Sequence, residues 1–124
     1  MSAAAEGLHH RALCGVVSRC GEAVLALVAD LQGEDELFAS RNTLAEIESQ
    51  LLTMAQTLGN LPPALQQALP LIDWNGWRAV HRCLAGNRRP RHGEIWYAIS
   101  ALVPATLVLF DRLRQRRREL FSIG

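Results

Sequence analysis

Apolar residues along this chain recur at intervals of three and four, and no stretch alternates apolar and polar in the manner of a half-buried strand. Leu13, Val16, Val17, Cys20, Val24, Leu27, Val28 and Leu31 fall on one face of a first helix between Leu8 and Leu31, which Gly33 should end. Gly15 and Gly21 each cost that helix up to ~1 kcal/mol relative to Ala, but a missing side chain also lets a neighbouring helix come close. A second helix should begin in the acidic run Glu34-Asp35-Glu36, where negative charge suits the positive helix end. It continues through Leu44, Ile47, Leu51, Met54 and Leu58 to a stop at Gly59-Asn60. Pro62-Pro63 then leads into a short helix over 64–69, closed by Pro70.

Asp73 has the character of an N-cap, able to accept from backbone N–H groups two or three residues ahead. The helix it starts carries Trp74, Trp77, Val80, His81 and Leu84 and ends at Gly86-Asn87. A basic loop follows, then a last helix over 95–120 with Ile95, Ile99, Leu102, Val103, Thr106, Phe110 and Leu113 toward the core. Pro104 offers no N–H to the Ser100 carbonyl and clashes with that turn, at ~3 kcal/mol in a regular helix, so a kink is expected there. At ~1.5 Å per residue this helix is longer than a small domain is wide, so its arginine-rich end, about 112–124, should protrude or lie against a partner. The expected architecture is all-α: a single domain over 1–124, an antiparallel bundle of four to five helices with the last one kinked at Pro104.

The composition, 49% apolar and 20% charged, is that of a folded chain rather than a disordered one. The formal charge of +1 hides a division. Residues 1–77 carry three arginines against nine acids, whereas residues 78–124 carry ten arginines against Glu94, Asp111 and Glu119. Such asymmetry favours a polyanionic partner for the second half or charge-complementary association between chains. Cys14, Cys20 and Cys83 form no CxxC pair, and with His9 and His10 they match no standard zinc spacing, so neither a disulfide framework nor a metal centre is signalled. No secretory pattern opens the chain, and the uncharged run 95–110 would span roughly 24 Å as a helix, short of a ~30 Å hydrocarbon core. A cytoplasmic protein with no membrane partner is the expectation.

Several ordered pieces resemble one known family. Phe38 with Thr43 and Leu51, then Met54-Ala55-Gln56-Thr57-Leu58, then Leu61-Pro62 and Pro70-Leu71-Ile72-Asp73-Trp74, and finally Trp96 followed eight residues later by Pro104, are similar in order and spacing to the HepT-like proteins of the HEPN superfamily. The likeness covers about residues 13–113. It implies a helical, homodimeric, metal-independent endoribonuclease needing no cofactor, the toxin-type partner of a minimal nucleotidyltransferase antitoxin.

The family's catalytic centre is an Arg, four variable residues and a His, on the helix between the two outer tryptophans. Such chemistry needs an imidazole as base near a ribose 2′-hydroxyl and a fixed cation for the charge developing on phosphate. In this chain the motif departs from the pattern. Counting from Trp74 puts His81 where the family has Arg and Gly86 where it has His, and no Arg precedes a His by five, six or seven positions. The candidate catalytic residues are therefore His81, Arg82 and His92, with Arg78, Arg82, Arg88, Arg89 and Arg91 as RNA contacts. The alternatives are a solvated basic patch on a degenerate ribonuclease, an active enzyme with relocated residues and His92 as base, and a non-catalytic dimeric adaptor. Trp74, Trp77 and Trp96 read as core or dimer-interface anchors rather than stacking platforms.

Overall fold

A computed structural model describes the backbone of residues 3–86 and 92–123 and the side chains of 7–86 and 92–116. The chain is an all-α bundle. Its elements are α1 (Ala3–Ala29), α2 (Glu34–Ala39), α3 (Arg41–Gly59), α4 (Pro63–Gln67), α5 (Trp74–Ala85), α6 (His92–Tyr97), a π turn (Ala98–Leu102) and α7 (Val103–Ile123), with no strand among the described residues. Helix α1 packs against α3 and α7, and α5 packs against α3 and against the π turn.

The apolar spacing of α3 and of the last helix translates directly into burial. Ile47, Leu51, Met54 and Leu58 have no exposed surface, and Ile95, Ile99, Leu102, Val103, Thr106 and Phe110 are all buried. On α1 the buried residues are Cys14, Val17, Ser18, Cys20, Gly21 and Val24, while Leu13, Val16, Leu27, Val28 and Leu31 flank them half-buried. Gly21 explains the offset: a Cβ there would fall 2.7 Å from Leu107 Cδ2, so α7 comes close to α1 at this residue. Gly15 has no such role, with only the Arg19 side chain nearby. Burial pushes the Cys20 thiol above its ordinary pKa, with Arg19 pulling weakly the other way.

Two expected elements differ in detail. The helix predicted to run from Glu34 to Gly59 is divided at Ser40, whose backbone is not helical (φ −99°, ψ 83°). Its hydroxyl donates to the Glu36 carbonyl at 2.8 Å, the local side-chain bonding by which serine competes with the helix ladder. The interruption expected at Pro104 takes the form of the π turn, in which the Val103 N–H donates to the Ala98 carbonyl. Ser100, whose carbonyl the proline ring would strike in an α-helix, lies inside this wider turn.

By length and composition alone, residues 7–29 and 92–116 could each cross a bilayer. In the bundle, 33% and 39% of these windows are buried.

Candidate functional site

The segment from Leu69 to Arg82 builds the site. Asp73 caps α5 as expected, its Oδ1 accepting from the Gly76 N–H at 2.9 Å. Behind the cap, Trp74 Nε1 donates to the Leu69 carbonyl at 3.1 Å, which fixes the indole against the turn closing α4. One turn on, Trp77 is 2% exposed, and its Nε1 donates to Thr106 Oγ1 at 3.0 Å. This buried bond pins α5 to α7. With Trp77 inward, the 3.6-residue period leaves Arg78, His81 and Arg82 together on the face turned toward the end of α3.

That face is one wall of a groove of about 450 Å³. Trp74, Trp77, Arg78, His81 and Arg82 line it from α5; Ala55, Gln56, Leu58, Gly59 and Asn60 line it from the end of α3; Gln66 closes it from α4. No carboxylate is among them. Arg78 donates to the Asn75 side chain, which steadies its guanidinium, whereas Arg82 has no ion-pair partner among the described residues. His81 is half-buried. Gln66 spends its amide N–H groups on the Leu58 and Leu61 carbonyls at 3.4 and 2.9 Å, closing the end of α3.

The structure thus brings together three of the expected site residues, Arg78, His81 and Arg82. His92 is elsewhere. It stacks on Phe38 of α2 with ring centroids 3.8 Å apart and planes 9° from parallel, and its charge acts on Glu48 of α3. Burial pushes the Glu48 carboxyl above its ordinary range, an effect His92 partly offsets. Arg88, Arg89 and Arg91 lie outside the described residues.

Sequence reasoning missed the opposite wall. Gln56 and Asn60 were legible only as part of a helix and its stop signal, because their role depends on α5 packing beside them. It also missed Tyr97, 51% exposed, whose hydroxyl donates to Asp73 Oδ2 at 3.2 Å. The hydrogen bond to Asp73, together with its negative charge, raises the phenol pKa above the ordinary value.

Chemically, the groove presents two guanidinium groups, an imidazole, indole surface and amides. It is suited to an anion carrying a flat ring. Among the described residues no group of three or more His, Cys, Asp or Glu is placed to hold a metal ion. No protein-family model, curated protein or solved structure matches the chain.

Proposed function

We propose that this chain is a HepT-like protein of the HEPN superfamily, RNA-associated through a degenerate ribonuclease site. It would act in the cytoplasm as a homodimer, with a minimal nucleotidyltransferase-type antitoxin as partner. The observation that carries the reading is the clustering of Arg78, His81 and Arg82 in one groove on the helix between Trp74 and Trp96. The all-helical fold is compatible with it, and the ordered resemblance from Phe38 to Pro104 supplies the family.

The geometry favours binding over efficient cleavage. Arginines attract phosphate at any accessible pH, and their contribution survives loss of the catalytic order. Cleavage asks for more: an imidazole placed within hydrogen-bond reach of the 2′-hydroxyl, where a displacement of ~1 Å can cost ~100-fold. Counted from Trp74 without a gap, His81 falls on the family's Arg position; a shift by one residue restores Arg82 but leaves Asn87 where the His should be, and His92 does not line the groove.

The test is incubation of purified protein with labelled RNA in EDTA, wild type beside His81→Ala, Arg82→Ala and His92→Ala. The expected result is salt-sensitive RNA retention, weakened in Arg82→Ala, with little or no cleavage. Rapid cleavage abolished by either histidine substitution would establish an active endoribonuclease with relocated residues instead. Neither retention nor cleavage would leave the dimeric adaptor as the better description.

A further inference from the structure

The groove has features that a surface built only to attract phosphate would not need. Its aromatic wall is anchored: Trp74 is half-buried and held by its bond to the Leu69 carbonyl, so a flat ring stacking on it would meet a side chain that has already lost its freedom. Opposite stand the exposed amides of Gln56 and Asn60, neither of which makes a side-chain hydrogen bond among the described residues. Each amide offers both donor and acceptor, the pair of functions that the edge of a nucleobase requires. Arg78 and Arg82, four residues apart on one helix, are neighbours able to hold one phosphate between them, and no carboxylate in the lining opposes an anion.

We infer that this groove receives a single nucleoside monophosphate unit, its base against Trp74, its edge toward Gln56 and Asn60, and its phosphate between Arg78 and Arg82. With RNA as the source, which rests on the reading above, the unit is one splayed-out base of a single strand. A duplex keeps its bases stacked and cannot present one to an indole. The groove between the α4–α5 connection and α7 provides the contrast: it also has arginines, but neither indole nor amide.

Titration of the ¹⁵N-labelled protein with UMP and AMP, read at the three indole N–H signals, tests the site directly. Inorganic phosphate and ribose 5-phosphate serve as comparisons. The Trp74 signal should move with either nucleotide, and affinity should fall by about tenfold or more in Trp74→Ala while Trp74→Phe retains most of it. Arg78→Ala, an exposed position outside the core, should weaken nucleotide binding and flatten its salt dependence. Equal affinity for inorganic phosphate and nucleotide would overturn the base-stacking site, as would unchanged affinity in both Trp74→Ala and Arg78→Ala. Retention of a fluorescent five-residue RNA separates the two ideas. If the RNA is held equally by wild type, Trp74→Ala and Arg78→Ala, the nucleotide site is wrong and the RNA reading stands. Mononucleotide binding at Trp74 without RNA retention would keep the site and reject RNA as its source.

Discussion

The groove between α3 and α5 and the groove between the α4–α5 connection and α7 are of comparable size, about 450 and 330 Å³, and each is edged by two arginines. Their walls differ. The first combines Trp74 and Trp77 with His81 and three amides, whereas the second is formed from Ala68, Leu69, Pro70, Leu71, Leu109 and Leu113 beside Arg112 and Arg116. Their contacts with the core differ as well: the first groove is backed by the buried Trp77, whereas the second meets the core at Leu69 and carries Leu71, which is 75% exposed. The strongly basic second half of the chain is therefore not one surface. Positive charge supplies long-range attraction to both, and the uncharged lining decides what each can hold.

The sharpest way to break this contrast is at its foundations. Trp77→Ala should cost about 3–5 kcal/mol in urea unfolding, because it removes the largest buried side chain, whereas Leu71→Ser should change stability by no more than about 0.5 kcal/mol. Similar effects at the two positions would mean that the first groove is no more rooted in the core than the second. Thr106→Val should cost about 1–3 kcal/mol, since the Trp77 N–H would stay buried without an acceptor; a neutral result would show that the α5–α7 bond is dispensable.

Function should divide in the same way. Arg82→Ala is expected to lower RNA retention and reduce the slope of log affinity against log salt by about one, while Arg116→Ala leaves both unchanged. Equal losses would merge the grooves into one diffuse basic face. The smallest effect is spectroscopic. The chain has one tyrosine, so absorbance near 295 nm reports Tyr97 alone. Its phenol should ionise above the ordinary value of 10.0, and Asp73→Asn, which keeps a capping side chain, should bring the midpoint down. The bonded, neutral phenol is the form favoured in the folded state. Its contribution to stability is thus present below pH 10.0 and disappears as the pH rises through the raised folded value.

The fold was legible wherever a single helix face meets the core. Ile47, Leu51, Met54 and Leu58, and Ile95, Ile99, Leu102, Val103, Thr106 and Phe110, announce their burial by spacing alone, and the Asp73 cap by residue type. The break at Ser40 was less legible, because a serine within an otherwise helical pattern gives no sign of whether its hydroxyl will bond back to Glu36. The candidate site was half legible. Arg78, His81 and Arg82 were identified from one helix, but Gln56, Asn60 and Gln66 join them only through tertiary packing, which no local pattern encodes. His92 illustrates the reverse difficulty. It is near Arg82 in sequence and chemically apt, yet it stacks on Phe38 and does not line the groove.

The π turn at Ala98–Leu102 sets the rotational phase of everything after it. Each residue advances a helix by about 100°, so deleting one residue from this turn and letting the chain close into a regular helix would rotate α7 by about that angle relative to α6. Thr106 would swing away from the Trp77 N–H, Phe110 would leave the core, and Arg112 would move off the edge of its groove. The extra residue therefore works as a phase corrector between two half-helices that pack on different neighbours. At this point the chain should tolerate a change of side chain far better than a change of length.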